Sequence, residues 1–101
     1  ARMPTYILLS NLTDNGAKTL KANPKRLQEV NKEIEKYGAK VTAQYAVLGP
    51  YDFVSIVDCS DEETIARVSV ELSSRGTVRI QTLAAVPIAN FVRNLKGPGA
   101  K

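Results

Sequence analysis

The 101 residues contain no histidine, no tryptophan, one cysteine and one methionine. Without histidine and with Cys59 alone, the chain cannot assemble a His-rich or multi-Cys metal site, and a Ser or Cys nucleophile would lack its usual general base. Much of hydrolytic and metal chemistry is thereby excluded, so neither a metal nor a cofactor is expected. Cys59 stands beside a helix start, where a thiol could be activated, but with no base or second cysteine it reads as a small buried residue. Charge of one sign is scarce too. The balance of 14 Lys+Arg against 10 Asp+Glu gives a net +4, spread through the chain rather than gathered in a basic stripe, so nucleic acid is not an expected partner. No run of about 20 apolar residues exists to cross a membrane, and no membrane partner is expected. No basic segment followed by a separate apolar one marks a secretory leader. Met3 reads as a native start preceded by two added residues, Ala1 and Arg2. An unpaired cysteine and the lack of a targeting segment point to the cytoplasm.

What is present reads as a single domain over residues 3–96, large enough to bury a core without staples. Thr5 to Ser10 is a short β-prone run opened by Pro4. Thr13 to Gly16 offers turn and capping residues, with a short helical segment over 17–22. Asn23-Pro24 predicts a helix start, Asn as the cap and Pro at the first helical position. Leu27, Val30, Ile34 and Tyr37 then recur at helical spacing, and Gly38 ends the helix. Two β-prone runs, 40–48 and 51–58, flank Gly49-Pro50 and predict a hairpin. Strict alternation in the first puts Val41, Ala43, Tyr45 and Val47 on one face and Thr42, Gln44, Ala46 and Leu48 on the other. Ser60 with Glu63 reads as a capping box for a helix whose stripe is Ile65, Val68 and Leu72, closed by Gly76. Thr77 to Val86 is a last strand and Pro87 to Lys96 a short terminal helix, stopped by Gly97-Pro98-Gly99, with residues 97–101 a flexible tail.

Strand, helix, strand, strand, helix, strand is the ferredoxin-like split β-α-β order, an α+β fold. Right-handed crossovers place both long helices on one face of a four-stranded antiparallel sheet. The strands nonetheless carry apolar residues on both faces: Tyr6 and Leu8 against Ile7 and Leu9, Phe53 and Val57 against Val54 and Ile56, Val78 and Ile80 against Leu83. A second copy of the chain is the simplest cover for the helix-free face, so a homodimer or higher assembly is expected.

Gly49-Pro50-Tyr51-Asp52, followed by the strand Phe53-Val-Ser-Ile-Val57 and an acidic helix start, resembles the small bacterial and archaeal GYD-domain family. Thr13-Asp14-x-Gly16, Pro24-Lys25-Arg26 and Thr77-Val-Arg-Ile-Gln-Thr-Leu83 support the resemblance, which runs from about Thr5 to Phe91. It implies ferredoxin-like chains that pair sheet to sheet as a dimeric α+β barrel.

Several residues are candidates for function. Lys25 and Arg26 fall in the first turn of a helix, where positive charge opposes the helix dipole. Free amides and two cations there could hold the carboxylate or phosphate of a small anionic metabolite; the plainer reading is an ion pair with Asp14, Asp52 or another carboxylate. Asp52 after the Gly-Pro turn could act as a general base or orient a ligand, with Tyr51 or Tyr45 beside it, or it could simply pin the hairpin. Arg79 and Gln81 on the last strand, with Thr42 and Gln44 on the second, could line a polar cavity between two sheets or make contacts between subunits. The leading reading is a small oligomeric binding or assembly module, with ligand-binding residues Lys25, Arg26, Asp52, Arg79 and Gln81. The alternative is a cofactor-free monooxygenase- or isomerase-like enzyme of the dimeric barrel type, using Asp52, Tyr51 or Tyr45; the lack of histidine counts against it.

Overall fold

The computed structural model describes residues 3–96. The expectations for residues 1–2 and 97–101 lie outside the described residues. Eight elements follow in order: β1 (Thr5–Leu12), α1 (Asp14–Ala22), α2 (Arg26–Tyr37), β2 (Ala39–Ala46), β3 (Phe53–Cys59), α3 (Glu62–Ser73), β4 (Val78–Ala85) and α4 (Ile88–Leu95). The strands form one sheet in the order β2-β3-β1-β4. Every neighbouring pair is antiparallel, which is the ferredoxin-like arrangement the element order predicts.

The core lies between one sheet face and the helices. Tyr6 and Leu8 of β1, Ala39 of β2, and Val57 and Cys59 of β3 are buried against Ile34 of α2 and Ile65, Val68 and Leu72 of α3. These are the helical stripes read from the sequence, and burying each such side chain contributes about 1.5–3 kcal/mol. The Arg67 guanidinium of α3 lies 4.9 Å from the centre of the Tyr37 ring of α2, and Arg75, in the turn after α3, makes a two-pronged pair with Glu33 of α2 at 2.9 and 3.1 Å. Gly38 takes φ 104° as the left-handed cap of α2 and donates its amide to Glu35.

Local boundaries differ from the sequence reading in four places, each for a physical reason. Asn23 ends α1, its amide donating to the Thr19 carbonyl. Because Pro24 disfavours a helical residue before it, α2 starts at Arg26, after one turn, with no side-chain cap. The acceptor at the start of α3 is Asp61, not Ser60: its Oδ1 takes the Thr64 amide at 2.7 Å, and Ser60 donates to its other oxygen. A carboxylate is the stronger acceptor there and suits the helix dipole. The hairpin strands are shorter than predicted, because residues 47–52 form a loop closed by Val47 donating to the Asp52 carbonyl, with Gly49 at φ 120°. Finally, the alternation of β2 is broken. Val41 faces Val57 but Ala43 faces Ile56, so Thr42 is an extra residue whose hydroxyl donates to the Ile56 carbonyl. Beyond that bulge Gln44 pairs with the buried Ser55 and joins the helix side of the sheet.

Two apolar surfaces remain open in the single chain. One is the helix-free sheet face, where Tyr45 and Leu83 are exposed and Ile7, Leu9, Val54 and Ile56 are half-buried. The other is α4, whose Ile88, Phe91, Val92 and Leu95 are 41–73% exposed and none of whose residues is buried. The chain measures 57 × 30 × 19 Å along its principal axes, elongated for its size. Among the described residues no helix is long and apolar enough to cross a membrane.

Candidate functional site

The sheet and the helices do not close on each other completely. Between the helix-facing side of the sheet and α1 and α2 lies a cavity of about 330 Å³. Its floor is Leu8 and Leu12 of β1, Phe53 of β3, and Val78 and Ile80 of β4; its roof is Leu20 of α1 with Leu27, Val30 and Ile34 of α2. One end of α1 is fastened to the chain entering β4. The Thr13 amide donates to the Thr77 carbonyl at 3.0 Å and its hydroxyl donates to Gly76 at 2.7 Å, which docks the start of α1 onto the chain entering β4.

One polar cluster interrupts the apolar wall. Asn31 Nδ2 donates to Gln44 Oε1 at 2.8 Å, and Gln44 Nε2 donates to Ser55 Oγ at 3.0 Å and to Asn31 Oδ1 at 3.4 Å. The Thr42 bulge creates this cluster, since without it Gln44 would point to the opposite face. At the rim stand Arg26 and Arg75, both partly exposed. Arg26 contacts Glu29 at 3.3 Å and Glu33 at 3.4 Å. The hydrogen bonds from Arg75 hold the Glu33 carboxyl below the usual carboxylate range, and the same bonds raise Arg75. Among the described lining residues these two arginines are the only titratable groups, so the walls can bind and orient but supply no acid or base that exchanges a proton near neutrality.

Of the residues singled out in the sequence, Arg26 and Gln44 line the cavity; Lys25, Thr42, Asp52, Tyr51, Tyr45, Arg79 and Gln81 do not. Lys25 is exposed at the start of α2. Asp52 pins the hairpin to β1: its Oδ2 accepts the Leu12 amide at 2.8 Å and its own amide donates to the Ser10 carbonyl at 2.9 Å. The Tyr51 hydroxyl donates to Gln81 Oε1 at 2.7 Å, reaching β4 past β1. Tyr45, Arg79 and Gln81 belong to the helix-free face: Tyr45 opposite Val54, and Arg79 and Gln81 opposite Asn11 and Leu9. Gln44 therefore does not share a face with Arg79 and Gln81. Sequence reasoning missed Asn31, Ser55, Glu33 and Arg75. Two of them left a trace: Asn31 falls four residues after Leu27, inside the apolar stripe, and Ser55 is the polar residue inside an otherwise apolar strand.

Comparison with known proteins places this geometry. Residues 6–95 match the GYD domain. The chain is 55% identical, over 95 residues covering 93% of it and all of the relative, to the glutamine synthetase and cystathionine beta-lyase binding protein of Thermus thermophilus. It superposes on the crystal structure of TTHA0845, also from Thermus thermophilus, with a TM-score of 0.55 and 30% identity, over 84% of this chain and 95% of that one. The leucine response regulatory protein LrpA of Mycobacterium tuberculosis, 14% identical with a TM-score of 0.58, shares the fold over 83% of this chain and 51% of its own. The same strands and helices that enclose the cavity are the part so matched, and the chain belongs to the GYD-domain family.

Proposed function

We propose that this chain is a non-catalytic, self-associating module that binds enzymes of amino-acid metabolism, with glutamine synthetase and cystathionine beta-lyase as the first candidates. The observation that carries the reading is the 55% identity, over 93% of this chain and the whole of the relative, to a protein named for binding those two enzymes. The site chemistry agrees with it. The Asp52 carboxylate is occupied by a backbone amide, Tyr51 is bonded to Gln81, and the described residues of the cavity wall include no group suited to proton transfer. Self-association follows from the open apolar surfaces, because monomers rarely leave contiguous patches of more than a few hundred Å² uncovered.

The test is to mix the purified chain with glutamine synthetase and with cystathionine beta-lyase from the same organism and measure mass by light scattering during gel filtration. A complex with either enzyme supports the reading; elution of all three apart, at tens of micromolar, overturns it. The chain alone should run as a dimer or larger, and Leu83→Asp, which puts a charge on the helix-free face, should shift it toward the monomer. A wild-type monomer at micromolar concentration refutes the self-association.

A further inference from the structure

We infer that the cavity between the sheet and α1 and α2 is a binding site for a small monocarboxylate with an apolar body, its carboxylate held by Arg26 at the rim. Size sets the first limit. A dry cavity of roughly 150 Å³ takes a benzene, so about 330 Å³ takes a body of about a dozen non-hydrogen atoms. This is also the low end of the range in which proteins hold small molecules.

The wall sets the chemistry. Leu20, Val30, Phe53 and Ile80 present an apolar surface from four different elements, which favours a hydrocarbon or aromatic body over a sugar or a nucleotide. A ligand body that fills this space packs against apolar groups on the sheet side and the helix side at once. Deep in the wall, the Ser55 hydroxyl accepts from Gln44 and its own proton has no acceptor among the described residues, which offers one hydrogen bond to an oxygen on the body of the ligand.

The rim supplies the charge. Arg75 is engaged by two bonds to Glu33. Arg26 makes single, longer contacts to Glu29 and Glu33. Exposed pairs of that kind contribute little, so an incoming carboxylate can take the guanidinium by a two-pronged contact at small cost. An anion without an apolar body gains none of the burial, and an alcohol of the same length gains none of the charge. The inference stands apart from the enzyme-binding role, since it concerns the chain alone.

Isothermal titration of the purified chain with octanoate, phenylpyruvate, 1-octanol and inorganic phosphate tests it. Octanoate or phenylpyruvate should bind with micromolar to low-millimolar affinity, at least tenfold tighter than either 1-octanol or phosphate. Arg26→Ala should weaken the carboxylates at least tenfold and leave 1-octanol unchanged. Val30→Phe, which fills the cavity with apolar volume, should abolish binding of carboxylates and alcohol alike while the circular dichroism spectrum and melting temperature show a folded chain. Failure of both carboxylates to bind at millimolar concentration overturns the inference. So does carboxylate binding that survives Val30→Phe in a folded chain, or phosphate binding as tight as octanoate.

Discussion

Replacing Gly16 by Ala tests the docking of α1 at a single carbon. Gly16 is a helical residue, and on propensity alone Ala in its place should stabilise a helix by about 1 kcal/mol. The surroundings reverse that sign. A Cβ on Gly16 would stand 1.9 Å from the Thr77 carbonyl oxygen and 2.8 Å from its carbon. Backbone cannot rotate out of the way as a side chain can, so restoring ordinary contact at 3.4 Å requires a shift of about 1.5 Å at the start of α1. The same turn is fastened by the Thr13 amide to Thr77 and the Thr13 hydroxyl to Gly76, which together contribute roughly 1–3 kcal/mol. Overpacking of this kind costs about 1–3 kcal/mol. Against the propensity gain of about 1 kcal/mol, the two losses leave a net destabilisation of about 1–5 kcal/mol, centred near 3. Equilibrium urea unfolding at a fixed protomer concentration measures it, with Asn15→Ala at the neighbouring exposed position as the control for propensity; that variant should be neutral or slightly stabilising. A Gly16→Ala chain as stable as the parent would refute the argument, because the close approach would then have to be relieved without breaking the Thr13 bonds.

Asp52→Ala should destabilise by roughly 1–2 kcal/mol in the same assay, because it leaves the Leu12 amide without its acceptor; an unchanged midpoint would remove Asp52 from its structural role. Stability should also fall in acid. Glu33 is held low by Arg75 and Asp61 by the Thr64 amide, so the unfolded chain takes up protons before the folded one. Their stabilising contribution is therefore fully present above the ordinary carboxylate range, about pH 4, and is lost as pH falls through and below it. Glu33→Gln should lower the urea midpoint at pH 7 and flatten its decline between pH 5 and pH 3; a decline as steep as the parent's would show that Glu33 is not part of it.

The order of elements and their buried stripes were legible in the sequence, because periodicity is a local property. Leu27, Val30, Ile34 and Tyr37, or Ile65, Val68 and Leu72, repeat at the spacing of a helix face whatever lies opposite, and Gly38 marks its stop by its own freedom at positive φ. With strands between them, that order leaves few alternatives to a ferredoxin-like sheet. The cavity was not legible. Gln44 enters its wall only because the extra residue at Thr42 turns β2 by one position, and a bulge is decided by how two strands pair, not by either sequence alone. Arg75 and Glu33, distant in sequence, meet only where α2 and α3 lie side by side. The Asp52 carboxylate could have been a base or a pin, and only the nearness of the Leu12 amide decides for the pin. Gly16, read from the sequence as a turn residue, is needed because the Thr77 backbone passes where its Cβ would be. Each of these depends on contacts between segments far apart in the chain, which composition and spacing do not encode and which the packed sheet and helices alone determine.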